Sequence, residues 1–85
     1  MSETHRIRIR LFAQAREILG QSETYVDCDR RATAGDLRSR LAARYPDLAP
    51  LLDRSAMAVN LEYVDDARPV HPGDEVAIVP PVAGG

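Results

Sequence analysis

Residues Arg6 to Phe12 alternate strictly between basic and apolar side chains. Ile7, Ile9 and Leu11 fall on one side and Arg6, Arg8 and Arg10 on the other, a period of two that predicts a half-buried strand. The arginine side reads as a solvated face matched to nearby acids. Ala13 to Leu19 then predicts a short helix, with Ala15, Ile18 and Leu19 on one face and Gly20 placed to end it. Glu23 to Cys28 returns to period two: Thr24, Val26 and Cys28 point one way, Glu23, Tyr25 and Asp27 the other. Thr33 opens the clearest helix. Its hydroxyl can cap the first turn, and Asp36 three residues later makes a variant of the capping box. Leu37, Leu41 and Tyr45 repeat every four residues as a buried stripe, Asp36, Arg40 and Arg44 form an exposed row, and Pro46 ends the helix.

Asp47 to Ser55 reads as a loop or single turn plugged by Leu48, Leu51 and Leu52. Ala56 to Leu61 predicts a buried strand and Tyr63-Val64 a short one. His71-Pro72-Gly73-Asp74 is a turn, because proline presets φ and glycine accepts positive φ at the next position. Glu75 to Val79 is the last strand, and Pro80-Pro81 stops its pairing because neither residue has an amide hydrogen to donate. The element order predicts an α+β fold, one main helix packed on one face of a mixed sheet.

Length and charge narrow the function. The 85 residues suit one domain, read as 1–85 with a flexible C-terminal tail at 80–85. An apolar share of 45% excludes a disordered chain. A net charge of −2 lacks the basic footprint that nucleic acid would need. No stretch is long and apolar enough to span a bilayer or serve as a signal peptide, so the expected location is cytoplasmic. All 11 basic residues are Arg, so no lysine amine of this chain can become an acylation target.

Enzyme constellations are missing from the sequence: no Ser-His-Asp set, no metal-spaced cluster, no glycine-rich phosphate loop. No bound cofactor or metal is expected. His5 falls in a frayed terminus and His71 in a tight turn, neither beside a catalytic partner. Cys28 reads as a small buried hydrophobe, and Asp27 and Asp29 beside it push a thiol pKa the wrong way for a nucleophile.

The chemistry points to Val79-Pro80-Pro81-Val82-Ala83-Gly84-Gly85. The prolines hold the chain extended as it leaves the sheet. Val82 offers one apolar anchor, and Ala83, Gly84 and Gly85 taper to almost no side chain. Fully extended, Val82 to Gly85 reach about 13–14 Å, which suits threading the Gly85 carboxylate into another protein's narrow channel. Ordering four residues costs on the order of 4–8 kcal/mol. The folded body must therefore dock as well, over an interface near ~800 Å² per partner.

Phe12-Ala13-Gln14-Ala15-Arg16-Glu17, Ala58-Val59-Asn60, and Gly73-Asp74-Glu75-Val76-Ala77 followed by Pro80-Pro81-Val82-Ala83-Gly84-Gly85 resemble the MoaD family, the small sulfur-carrying subunits of molybdopterin synthase. The resemblance implies a β-grasp, ubiquitin-like fold. It implies that a MoeB-like, E1-type enzyme uses ATP to adenylate Gly85, and that a sulfur donor protein then leaves a thiocarboxylate there. It implies a MoaE-like large subunit, in a heterotetramer, where that sulfur passes to a cyclic pterin precursor. Gly84 and Gly85 are then the reacting end. Phe12, Arg16, Tyr63 and Val79 are docking residues, with Pro80, Pro81, Val82 and Ala83 leading into the partner. Phe12 and Val79 read equally well as core. Sulfur carriage for thiamine or cysteine synthesis, a ubiquitin-like protein modifier, and a plain binding module remain open alternatives.

Overall fold

The computed structural model describes residues 4–81. Strand β1 (Thr4–Leu11) turns into helix α1 (Ala13–Leu19), and β2 (Glu23–Asp29) returns antiparallel to β1. Helix α2 (Ala34–Arg44) follows, then a 3₁₀ turn at Pro46–Leu48, helix α3 (Ala49–Leu52), and strands β3 (Ala56–Val59), β4 (Glu62–Val64) and β5 (Val76–Val79). The five strands form one mixed sheet in the order β2-β1-β5-β3-β4. The first and last strands lie side by side and parallel at its centre. The other pairs are antiparallel.

Alternation decides which residues enter the core. Ile7, Ile9 and Leu11 of β1, Thr24, Val26 and Cys28 of β2, Met57 and Val59 of β3, and Val76 and Ile78 of β5 are buried on one face of the sheet. Leu37 and Leu41 of α2 close over them, and Leu48, Leu51 and Leu52 seal one end. Tyr45 is half-buried, its hydroxyl 2.9 Å from Thr24 Oγ1, so each satisfies the other's buried oxygen.

Both ends of the helical layer are satisfied from elsewhere in the chain. Asp36 N–H donates to Thr33 Oγ1 (3.2 Å) and Thr33 N–H to Asp36 Oδ2 (2.9 Å), completing the expected capping box. The Ala34 and Gly35 amides, which no helix can satisfy internally, donate to the carbonyls of Arg68 and Asp66. Past the end of α3, Arg38 does the converse. Its guanidinium donates to the carbonyls of Leu52 and, at 2.8 Å, Ser55, and pairs with Asp66 at 3.1 Å. The loop before β5 is thereby tied to α2 and α3.

Several expectations need correction. The segment read as a loop or single turn over Asp47 to Ser55 holds two successive turns, the 3₁₀ turn that begins at Pro46 and the four-residue helix α3. The third strand stops at Val59, because Asn60 and Leu61 take φ of +53° and +71°. Together they make a two-residue hairpin turn of the type that fits strand twist. Phe12 is the N-cap of α1 and not the last residue of β1. Ile18 is exposed at 45%: it lies about 100° round the helix from Leu19, and the short helix buries only the Ala15 side. His5 is paired opposite Cys28 within β1, and its Nε2 is buried with no hydrogen-bond partner among the described residues. The arginine face does meet acids, Arg6–Asp27 at 3.5 Å and Arg8–Glu23 at 4.0 Å.

Candidate functional site

Strand β5 carries the chain out of the middle of the sheet. Val76 and Ile78 point into the core, so Ala77 and Val79 point out. Ladder pairing stops after Ala56↔Val79, where Pro80 is buried and Pro81 exposed. Neither proline can donate to a neighbouring strand. Val82, Ala83, Gly84 and Gly85, the expected reacting segment, lie outside the described residues.

Register assembles the outer face around that exit. Arg10, Ala77, Ala58 and Tyr63 are cross-strand partners in one row over four strands. Two residues further toward the exit, alternation puts Phe12, Val79 and Ala56 in the next row. Phe12 keeps the extended backbone (φ −126°, ψ 158°), and the Arg10 guanidinium sits 5.9 Å from its ring centroid, which places both on the same face. Tyr63 is 74% and Phe12 44% exposed. Phe12 is thus a surface residue and not core, while Val79 is half-buried beneath the exit. Arg16 is exposed one helical turn beyond Phe12, its amide donating to the Phe12 carbonyl at 3.4 Å. The small side chains of Ala58 and Ala77 leave a shallow apolar floor between Phe12 and Tyr63.

The local backbone is bent to present Phe12. Phenylalanine is a poor N-cap and makes no side-chain cap bond here. Ala13 behind it takes φ of +49°, a left-handed conformation that costs a residue with a Cβ about 1–2 kcal/mol. The strain lies at Ala13, directly after the extended Phe12, whose ring is exposed.

The entry to β5 is latched. The Asn60 amide N–H donates to the Glu75 carbonyl (2.7 Å), and the Glu75 amide returns a bond to Asn60 Oδ1 (2.9 Å). Asn60 Nδ2 donates to Asp74 Oδ1 (3.0 Å), while the His71 amide donates to Asp74 Oδ2 (2.8 Å). Burial works to raise the Asp74 pKa, but these two bonds, with the charges of His71 and Arg68, outweigh it and hold the carboxyl below its usual value. Asn60 was legible as a motif residue; its latching role needed the fold. Arg10, Ala58 and Ala77 were missed as site residues, because only register brings them beside Phe12 and Tyr63.

No chemistry emerges from the other candidates. Burial pushes the Cys28 thiol pKa up; Arg40 opposes this, and Asp29, Asp27 and Asp36 add to it. Among the described residues, no group of three or more His, Cys, Asp or Glu side chains could hold a metal ion, and no helix is long and apolar enough to cross a membrane.

A sequence model of the ThiS family matches residues 9–85. The chain belongs to the ThiS family. Among curated relatives, the molybdopterin synthase sulfur carrier subunit of Dictyostelium discoideum is 34% identical, over 96% of this chain and 99% of its own length. Among solved structures, SAMP1 from Haloferax volcanii superposes with a TM-score of 0.83 at 31% identity, covering 94% of this chain and 99% of that one. The complex of subunits 1 and 2 of molybdopterin-converting factor from Helicobacter pylori contributes a chain with a TM-score of 0.67 at 22% identity. It covers 94% of this chain and 99% of that one, and supports the fold alone. The ubiquitin-like β-grasp is thereby the architecture of this ThiS-family chain. The outer face around Phe12 and Tyr63 and the segment Pro80-Pro81 fall inside the matched region, as do Val82 to Gly85.

Proposed function

We propose that this chain is the sulfur carrier subunit of molybdopterin synthase. The observation that carries the reading is the combination of 34% identity to a carrier of that name, over nearly the whole chain, with a last strand that leaves the sheet beside an exposed apolar face. The body docks through Phe12, Arg16, Tyr63 and Val79, with Ala58 and Ala77 as the floor. Pro80 and Pro81 stiffen the exit, and Val82 and Ala83 lead the backbone into the partner. The side-chain-free Gly84 and Gly85 allow close approach to a reacting centre.

A free carboxylate is a poor electrophile. The Gly85 carboxylate therefore first displaces pyrophosphate from ATP on an activating enzyme of E1 type, giving an acyl-adenylate. A persulfide on a donor protein then displaces AMP to give an acyl disulfide, and a thiol cleaves its S–S bond, leaving the thiocarboxylate on Gly85 and a disulfide on the donor side. The carrier next docks on a large subunit, like the second subunit in the Helicobacter complex, and delivers its sulfur to a cyclic pterin precursor. This chain supplies cargo and docking; the side chains that catalyse transfer belong to the large subunit. ATP is met only on the activating enzyme.

A second reading has its own support. SAMP1, at 31% identity and a TM-score of 0.83, is called a small archaeal modifier protein, so Gly85 can be read as the point of attachment to other proteins. Intact mass after incubation with the activating enzyme, ATP and a sulfur source separates the two. Exchange of one oxygen for sulfur at Gly85, abolished by deleting Gly85, is the expected result. Attachment to a lysine of another protein favours the modifier, and an unchanged mass overturns both.

A further inference from the structure

The three arginines of β1 share a face, but among the described residues acids stand within ion-pair distance of only two of them. Asp27 takes Arg6 at 3.5 Å. Glu23 stands directly across the ladder from Arg10, where an opposite charge is normally used in cis. Its carboxylate is turned elsewhere: Oε2 accepts the Tyr25 hydroxyl at 2.8 Å, and Oε1 lies 4.0 Å from Arg8. Arg10 has no carboxylate within ion-pair distance among the described residues. Its guanidinium leans over Phe12 at 5.9 Å, near the outer limit of about 6 Å for a cation–π contact. An uncompensated cation therefore borders the row Ala77, Ala58 and Tyr63 in a chain whose net charge is −2.

We infer that Arg10 is a partner-selecting residue, which pairs with a carboxylate that the large subunit presents beside an apolar surface. The inference rests on the sulfur-carrier reading and adds the chemistry of the partner to it. Apolar contact over Ala58, Ala77 and Tyr63 supplies attraction but little direction. A charge pair at its border fixes how the two surfaces register and rejects partners carrying a cation there. A partner with no charge at that point would still have to desolvate the guanidinium, which is unfavourable without a compensating acceptor. Arginine suits the role better than lysine because its planar fork takes a carboxylate with two bonds.

The test titrates the full chain and its Arg10→Glu, Arg10→Gln and Arg10→Lys variants against the large subunit of the same organism by calorimetry, at low and at raised salt. Gly85 thiocarboxylation is followed in parallel by mass. We expect Arg10→Glu to weaken binding about tenfold or more and Arg10→Gln by several fold. We also expect Arg10→Lys to keep part of the affinity, and the salt dependence of the unmodified chain to flatten in Arg10→Gln. Arg10→Gln places no second acid opposite Glu23, so it keeps the test valid if Arg10→Glu folds poorly. Binding of Arg10→Glu and Arg10→Gln within about twofold of the unmodified chain, with undiminished salt dependence, overturns the inference while leaving the carrier reading intact. Failure of the unmodified chain both to bind the large subunit and to accept sulfur removes the carrier reading, and this inference with it.

Discussion

Replacing Asn60 tests how the last strand is held, because three contributions meet at that residue and can be separated. Its Oδ1 accepts the Glu75 amide, its Nδ2 donates to the Asp74 carboxylate, and its φ is +53°. At an exposed position the neutral bond contributes about 0.5–1 kcal/mol, and the bond to the carboxylate about 1–1.5 kcal/mol. The left-handed backbone costs alanine about 1 kcal/mol more than asparagine, which visits that region readily. Asn60→Ala should therefore lose about 3 kcal/mol. Asn60→Gly loses the same two bonds but relieves the backbone and should lose about 2 kcal/mol. In a domain of this size each kcal/mol shifts the thermal midpoint by roughly 4–8 °C, so the two variants are resolvable. Urea unfolding with unchanged slopes gives the free energies. A double-mutant cycle with Asp74→Ala should return about 1 kcal/mol of coupling. Because Glu75 precedes β5 directly, amide exchange at Val76 to Val79 should quicken in both variants. Equal losses for alanine and glycine, or losses below about 0.5 kcal/mol, would refute the latch.

Ala13→Gly should stabilise the fold by about 1 kcal/mol, since glycine takes φ of +49° without a Cβ penalty; thermal melts check this. Gly35→Ala should cost about 1–3 kcal/mol, because a Cβ there would lie 2.9 Å from Asp66 Cβ and 3.2 Å from its carbonyl oxygen, and chemical denaturation will show it. For Asp74, whose pKa is lowered on folding, the stabilising contribution is present above the ordinary value of 3.8 and lost as the pH falls through the lower folded value. Urea midpoints measured from neutral to strongly acid pH should show this loss, and Asp74→Asn should lack that step. Cys28→Ala should remain a full acceptor of sulfur at Gly85 by intact mass, since the thiol is buried with a raised pKa.

Strands were legible in the sequence where alternation continued over several residues, as from Arg6 to Leu11 and Glu23 to Cys28. The main helix was legible because Thr33 and Asp36 mark its start chemically. The errors fall where backbone conformation rather than side-chain type decides. Nothing local distinguishes Phe12 as a cap from Phe12 as a strand end; the positive φ of Ala13 makes the difference. Asn60-Leu61 was read as the end of the strand begun at Ala56, yet both residues turn left-handed. In the stretch after Tyr45, Pro46 does end the main helix as read, but Pro46 and Pro50 also occupy early positions of the two short helical turns that follow, where the missing amide hydrogen costs nothing. Register was out of reach: Arg10, Ala77, Ala58 and Tyr63 meet only when β1, β5, β3 and β4 pair in that order.

That order also explains how a small carrier can be both stable and adhesive. Alternation splits β5 between two tasks, with Val76 and Ile78 fully buried and Ala77 and Val79 facing out. Burying Ile78 removes on the order of 2–3 kcal/mol worth of apolar surface from water, so the strand is anchored from below whatever binds above. The outer residues need to contribute little to folding, and the chain places alanines at the two central positions. A floor of small side chains results, with aromatic side chains at its two ends and, on its border, Arg10, which has no acid partner among the described residues. On the proposed reading, docking and presentation are thereby joined in one strand: a partner seated on Ala77 would be aligned with the direction in which Pro80 and Pro81 lead.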